Sequence, residues 1–160
     1  MKANAPKTIT VCTTEQDVMD MVQLGTQYAK EAGIASGEDA FVTFDPNKAF
    51  DTAWSQIQAG NLFGCIARVG DEPIGFAQAW IMDLYYTRPI GQMDMLYVVE
   101  GWRKSPVGRI LVRLLTETLE PDVSVITTNI MGKMPTDRTL ANMLKKFGYE
   151  DGGTIFVRKS

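Results

Sequence analysis

A short turn rich in cationic side chains is the part of this sequence best suited to chemistry. Arg103, Lys104 and Arg109 surround Gly108, between an apolar run and a pattern typical of a helix. The first N–H groups of a helix have no intrahelical partner and lie at the positive end of its dipole, where anions bind. A glycine lets a phosphate approach the backbone, and the cations add charge. The spacing fits an anion site and a solvent-facing basic corner equally well.

The helix that would present these N–H groups is predicted to begin at Ser105. Serine caps helices, and Pro106 suits the first helical position. The N–H groups without a helical acceptor would then be those of Val107, Gly108 and Arg109. Apolar residues at the spacing of one helix face predict which side is buried, and they are Ile110, Leu111, Leu114 and Leu115.

One carboxylate stands in the apolar segment before this turn. Asp94 is the only acidic residue within Met93–Val99, a run that predicts a buried strand. Burial of a carboxylate is costly unless it is paired, and it raises the pKa towards the range useful for a general base. An aspartate here could instead face an arginine or solvent, so a catalytic and a structural role are both open.

The strand, turn and helix together resemble the signature of the GNAT (Gcn5-related N-acetyltransferase) superfamily. That family has Leu-x-Val at the end of a strand, then (Arg/Gln)-x-x-Gly-x-(Gly/Ala) at the start of a helix. Leu96-Tyr97-Val98 matches the first motif, and Arg103 and Gly108 match the second. Pro106 departs from it, because it replaces the usual middle glycine and has no N–H to donate. The resemblance implies that the pyrophosphate of acetyl-CoA binds at Arg103, Lys104, Ser105, Val107, Gly108 and Arg109.

The resemblance also implies roles for residues outside the turn. Asp94, four residues before Val98, stands where the family often has its general base. The backbone of Leu96, Tyr97 and Val98 would pair with the pantetheine arm, and Asn129 matches a frequent family asparagine near that arm. The segment 144–149 resembles the family's Tyr-Glu-Lys-Leu-Gly-Phe, but Leu144 replaces the tyrosine that often serves as general acid. The acid is therefore left unassigned.

Patterns along the whole chain predict an α/β fold (α+β, mixed sheet) with the order β-α-α-β-β-β-α-β-α-β-β. We expect one domain over residues 1–160. A strand, a helix and a further strand in succession predict a parallel pair with a right-handed crossover. The GNAT fold has the same order, so the resemblance covers essentially the whole chain. The predicted strands are Thr8–Cys12, Leu62–Val69, Ile74–Met82, Met93–Val99, Val123–Ile130 and two short strands around Gly152-Gly153.

Composition excludes several classes of function. The absence of histidine removes Ser-His-Asp and Cys-His catalysis and histidine metal sites. Cys12 and Cys65 are far apart in the sequence, which argues against a thiolate metal site, and we predict no metal. Both are expected to be buried reduced thiols. A net charge of −3 argues against broad nucleic-acid binding. No apolar run reaches the ~18 residues of a membrane span, and residues 1–6 lack the apolar core of a signal peptide, which predicts a cytoplasmic protein.

Two functions remain open at this point. The first is an acetyl-CoA-dependent N-acyltransferase that uses an acyl-CoA and an amine acceptor, which residues 33–43 would help to shape. The second is a catalytically silent GNAT-fold protein with a binding or structural role, an option left open by Pro106 and Leu144. A loose likeness of the whole sequence to GNAT-like proteins of tailed phages would place such a protein in the host cytoplasm or the virion. Residues 84–86 could be an interface for a protein partner, or equally a wall of the substrate loop. A homo-oligomer is also possible.

Overall fold

The computed structural model describes residues 7–32, 44–83, 87–128 and 137–152. The order of helices and strands predicted from the sequence is confirmed as far as the last helix, and the two strands predicted after it fall mainly in residues 153–160, outside the described residues. The elements are β1 (Lys7–Val11), α1 (Glu15–Glu31), α2 (Pro46–Gln58), β2 (Leu62–Val69), β3 (Glu72–Met82), β4 (Ile90–Val98), a 3-10 helix (Glu100–Trp102), α3 (Val107–Leu119), β5 (Ile126–Thr128) and α4 (Asp137–Lys146).

The strands form a single five-stranded mixed sheet, in the order β1-β2-β3-β4-β5. The first four strands are antiparallel to their neighbours. The segment that enters β5 runs parallel to β4. The N–H of Ser124 donates to Pro89 O and the N–H of Gly91 donates to Val125 O, so residue numbers rise in the same direction along both segments. The predicted mixed α/β sheet is confirmed, and α3 is the connection between its parallel strands.

Helices α1 and α3 cover opposite faces of this sheet. Phe76 of β3 is buried against α1, in a cluster that includes Met21 and Leu24. Its neighbour Gly75 faces α3, since a Cβ there would lie 3.2 Å from Leu111 Cδ1. Successive residues of a strand point to opposite faces, so the two helices bury both sides of β3.

The starts of α1 and α2 are both capped by side-chain hydrogen bonds. Thr14 Oγ1 accepts from the N–H of Asp17 at 3.2 Å, and the Asp17 carboxylate accepts from the N–H of Thr14 at 2.9 Å. Asp45 Oδ1 caps α2 by accepting from the N–H groups of Asn47 and Lys48. Each cap satisfies helix N–H groups that would otherwise lack a partner.

Two details of the predicted crossover differ in the structure. Helix α3 begins at Val107, and its fully buried side chains are those of Val107, Leu111, Val112, Leu115 and Leu119. Ile110 and Leu114, which were expected on that face, are only half-buried. Strand β5 is shorter than predicted on its N-terminal side, because Val123 still bonds to the end of α3 through Leu119.

A largely buried cluster of charges, which no local sequence pattern predicts, ties α1 to β2. Arg68 donates from Nε to Asp20 Oδ2 at 2.8 Å and from its NH2 nitrogen to Asp17 Oδ1 at 2.8 Å. Burial alone would raise the pKa of Asp17, but hydrogen bonds from the Thr13 N–H, Arg68 and Thr14 outweigh it and lower the pKa to about 2. The cluster therefore fixes the start of α1 on the sheet.

The backbone divides into two compact units, Met1–Thr127 and Thr128–Ser160. The expectation of one domain over residues 1–160 stays a prediction. In the described part of the chain, no helix has both the length and the apolar character to cross a bilayer. No group of three or more cysteine, aspartate or glutamate side chains there could hold a metal ion.

Candidate active site

The turn after β4 is a single turn of 3-10 helix, tied to neighbouring strands. The N–H of Trp102 donates to Val99 O at 2.8 Å, and the N–H of Ser105 donates to Trp102 O at 3.0 Å. Lys7 Nζ lies 4.6 Å from the centroid of the Trp102 ring. The turn predicted between β4 and α3 is therefore present, and the first residue of β1 contacts it through the Trp102 ring.

The start of α3 differs by one residue from the prediction. Pro106, not Ser105, occupies the cap position, because its carbonyl accepts the first helical bond, from Ile110 at 3.0 Å. The Ser105 hydroxyl instead donates to Trp102 O at 2.6 Å and closes the preceding turn. Its oxygen also accepts from the N–H of Val107, at 3.4 Å. The N–H groups that lack an intrahelical acceptor are still those of Val107, Gly108 and Arg109, as predicted.

Gly108 is not required for the packing of this turn. A Cβ at Gly108 would meet only Val98 Cγ2, at 3.5 Å, which is an ordinary van der Waals contact. The family motif allows glycine or alanine at this place, and the geometry here accommodates both. A side chain larger than alanine would have to displace Val98 or cover the backbone of the turn.

The cationic residues of the turn fall into two groups. Lys104 and Arg109 are exposed, and neither has an ion pair within the described part of the chain. Arg103 instead bends back onto the sheet, where its Nε donates to Val98 O at 2.9 Å. Its guanidinium lies 5.6 Å from the centroid of the Tyr97 ring and forms an ion pair with Glu31.

Glu31 contacts two residues of the candidate site, Tyr97 and Arg103, and no sequence motif predicted this. It is the last residue of α1, 72 positions from Arg103, and no local pattern marks the contact. The Tyr97 hydroxyl donates to its second carboxylate oxygen at 2.6 Å. Burial would raise the pKa of Glu31, but hydrogen bonds from Tyr97 and Arg103 lower it. Burial and the bond to Glu31 raise the pKa of Tyr97 to about 12, so the phenol keeps its proton at neutral pH.

Asp94 lies at a β-bulge of β4. Met93 pairs with Ala79 and Met95 pairs with Gln78, so Asp94 is an extra residue between two pairs. Its Oδ2 accepts from Trp80 Nε1 at 3.0 Å and from Gln78 Nε2 at 3.2 Å.

The bulge aims this carboxylate at the face covered by α1 and α2. Trp80 packs against a cluster that contains Val18 of α1 and Ala53 of α2. Met95, next to Asp94 in the chain, packs on the α1 side as well. Two neighbouring side chains therefore share one face, which a regular strand does not allow.

Asp94 is more exposed than its apolar segment predicts. The residue is open to solvent, and its partners are two neutral donors rather than an arginine. The protein atoms around the carboxylate still remove part of its hydration, which raises its pKa against the opposing hydrogen bonds from Trp80, Gln78 and the backbone of Asp94 and Met95. A carboxylate that is accessible and has a raised pKa can take a proton from an ammonium group.

The remaining predicted residues divide between described and undescribed parts of the chain. Leu96, Tyr97 and Val98 form the end of β4, where they pair with Ala77, Phe76 and Gly75 of β3. Asn129 lies outside the described residues, as do residues 33–43 and 84–86. In the second compact unit, Leu144 of α4 is 3% exposed and has no proton to donate.

A glycine of positive φ follows the end of helix α4. The N–H of Gly148 donates to Lys145 O at 3.1 Å, the N–H of Tyr149 donates to Leu144 O at 3.2 Å, and Gly148 has a φ of 85°. These bonds satisfy the last carbonyl groups of the helix.

Three solved structures illustrate how known proteins resemble this chain. A ribosomal-protein-alanine N-acetyltransferase from Brucella melitensis biovar Abortus 2308 is 18% identical, with a TM-score of 0.68, over 97% of this chain and 100% of that one. The aminoglycoside N-acetyltransferase AAC(6')-Iy, solved in complex with CoA, is 17% identical, with a TM-score of 0.71 over 98% and 96%. A predicted acetyltransferase from Clostridium acetobutylicum, solved with acetyl-CoA, is 14% identical, with a TM-score of 0.74 over 96% of each chain. At these identities the likeness establishes the fold.

The family is established by the sequence itself. A search of curated protein sequences found no significant match. The acetyltransferase (GNAT) family, by contrast, matches residues 23–149, which include helix α1 from its middle, the bulge at Asp94, the turn and α4. The likeness to phage proteins stays a prediction. The chain belongs to the GNAT acetyltransferase family.

Proposed function

We propose that the protein is an acetyl-CoA-dependent N-acyltransferase that transfers the acetyl group directly to an amine of a small molecule or of a protein. Family membership supports acyl transfer in general. The observation that carries the finer proposal is Asp94, an accessible carboxylate of raised pKa on the strand that leads into the anion-binding turn. Two of the similar structures are named as enzymes that acetylate a ribosomal protein and aminoglycosides, and both kinds of acceptor carry amines.

The turn would hold the pyrophosphate of acetyl-CoA. The N–H groups of Val107, Gly108 and Arg109 lie at the positive end of α3, and exposed Lys104 and Arg109 add charge beside them. The absent N–H of Pro106 removes one donor from this cradle. The pantetheine arm would pair with the backbone of residues 96–98 in the manner of an added strand, with Asn129 near it.

The transfer itself needs one base and one acid. Asp94 would take a proton from the acceptor ammonium, and the free amine nitrogen would attack the thioester carbonyl carbon. The new C–N bond forms as the C–S bond breaks, and the CoA thiolate leaves with its electron pair. After the attack the nitrogen still carries one excess proton, and a water molecule would pass that proton to the thiolate, because Leu144 replaces the tyrosine that is the family's usual acid. Asp94 would then release its own proton to solvent.

Two measurements in sequence test this proposal. Calorimetric titration should show binding of acetyl-CoA, and an acetylation screen over small amines and amine-bearing peptides should then find an acceptor. Lack of binding at millimolar acetyl-CoA would end the cofactor proposal. Binding without acetylation of any amine would favour the second candidate, a GNAT-fold protein with a binding or structural role. That candidate is favoured by two specific features, the buried Leu144 and the missing N–H of Pro106.

A further inference from the structure

Arg103, Glu31 and Tyr97 form one polar cluster where the end of α1, the end of β4 and the turn meet. Glu31 accepts from Arg103 on one carboxylate oxygen and from the Tyr97 hydroxyl on the other. Arg103 also donates to the carbonyl of Val98, the last residue of β4, and its guanidinium lies over the Tyr97 ring. The three side chains thus bond to one another and to the strand end.

We propose that Arg103 positions the turn instead of binding the pyrophosphate, and that Glu31 and Tyr97 are the residues that hold it in this role. The inference rests on the proposed binding of acetyl-CoA, and it deepens that proposal by separating the residues that contact phosphate from those that align the turn. It also assigns a role to Glu31, which no sequence motif includes.

The contacts of Arg103 explain why it would stay in place when a ligand binds. Movement towards a phosphate would remove the counterion of Glu31 and the side-chain donor of Val98 O. Glu31 ends a helix, where the dipole disfavours a negative charge, so it depends on Arg103 and Tyr97 more than a carboxylate elsewhere would. Arg103 is only 29% exposed in its side chain and bridges elements 72 residues apart.

Other groups are better placed to meet the phosphate charge. Lys104 is the next residue, it is exposed, and it has no ion pair in the part of the chain that the structure describes. Arg109 is exposed as well and follows Gly108 in the first turn of α3. The ligand can therefore recruit these two cations without breaking an existing ion pair.

The decisive experiment is the effect of Glu31→Gln on the affinity for CoA, measured by calorimetry. If Arg103 positions the turn, the loss of its counterion should loosen the turn and weaken CoA binding, by about threefold to tenfold. If Arg103 is instead a phosphate ligand held back by Glu31, the same variant should release it and tighten binding. The two roles predict changes of opposite sign.

Matched variants separate this effect from a general loss of structure. Glu117→Gln makes the same chemical change in the exposed pair with Arg113 on α3, and it should leave CoA affinity unchanged. Tyr97→Phe keeps the ring and removes only the hydroxyl that reaches Glu31, so it tests the cluster if Glu31→Gln does not fold. In an Arg103→Gln background, Glu31→Gln should not weaken CoA binding further, because both changes break the same contact.

The salt dependence of CoA affinity supplies a readout that altered folding would not mimic. Lys104→Ala and Arg109→Ala should each weaken the dependence, since each removes a charge that faces phosphate. Arg103→Gln should lower affinity but keep the salt dependence of the wild type. Dephospho-CoA lacks the 3'-phosphate. If the pyrophosphate is the group bound at the turn, the three variants should change the affinity for dephospho-CoA and its salt dependence as they do for CoA.

Each outcome has a distinct meaning. Wild-type protein that binds no CoA overturns the proposed function and this inference with it. Wild-type protein that binds CoA, with tighter or unchanged binding in Glu31→Gln and Tyr97→Phe, overturns this inference alone.

Discussion

Replacement of Asp17 by asparagine should remove a defined, pH-dependent part of the stability. Its pKa falls from an ordinary 3.8 to about 2 in the folded protein, because hydrogen bonds from Thr13, Thr14 and Arg68 outweigh its burial. A lowered pKa means that this stability is present above pH 3.8 and is lost as pH falls towards 2. At about 1.4 kcal/mol per pKa unit, the charge of Asp17 contributes about 2 kcal/mol at pH 6. At pH 2 much of the folded carboxylate is protonated, and the contribution falls to under about 1 kcal/mol.

Urea unfolding of wild type and Asp17→Asn at pH 6, 3 and 2 measures this difference directly. We expect the free energy of unfolding to differ by about 2 kcal/mol at pH 6 and by under about 1 kcal/mol at pH 2. Asp51→Asn, an exposed carboxylate on α2, is the matched control and should change stability little at any pH. A difference between wild type and Asp17→Asn that stays constant from pH 6 to pH 2 would refute the reasoning, because it would not come from a proton.

The remaining predictions concern packing, the missing acid and the thiols. Gly64→Ala should lower stability by ~1–3 kcal/mol in urea unfolding, since its Cβ would lie 2.6 Å from the buried Met21 Sδ. Gly108→Ala should leave both stability and CoA affinity near wild type, because a Cβ there meets only Val98 Cγ2, at 3.5 Å. A large loss of either would show that the site has no room for the methyl group. Leu144→Tyr should raise turnover, by up to ~10²-fold if the phenol protonates the thiolate, although overpacking can cost ~1–3 kcal/mol and folding must be checked by a thermal melt. Cys65, whose pKa is raised to about 12 by burial, and Cys12 should react with a thiol reagent only upon unfolding, so rapid labelling of the native protein would show that their burial is wrong.

Features encoded in a few neighbouring residues could be predicted from the sequence. Asp45-Pro46 marks a helix start by residue type alone, and the structure places the cap and the first turn there. Gly70 and Asp71 sit between two β-rich runs, and they form the two-residue turn of the β2–β3 hairpin, with Gly70 at a φ of 59°. Local preference decides these elements, so tertiary packing did not change them.

Contacts between distant parts of the chain could not be predicted in this way. Glu31 and Arg68 looked like ordinary charges at a helix end and in a strand, but each bonds to a partner more than 50 positions away. The bulge at Asp94 depends on how β4 pairs with β3, and an alternating pattern alone cannot show an extra residue. The helix start at Ser105-Pro106 was predicted one residue early because the serine hydroxyl bonds to the preceding turn instead.

If Asp94 accepts the proton of the acceptor amine, its titration should appear in the pH dependence of kcat/KM for acetyl transfer. Because the pKa of Asp94 is raised, activity of the wild type should fall as pH drops through that pKa and the carboxylate becomes protonated. Asp94→Asn should keep the acetyl-CoA affinity of the wild type, lose ~10² to 10⁴ in turnover, and lack this acidic limb. Asp71→Asn, an exposed carboxylate in the β2–β3 turn, should behave as wild type. A well-folded Asp94→Asn with wild-type turnover and an unchanged acidic limb would contradict the account.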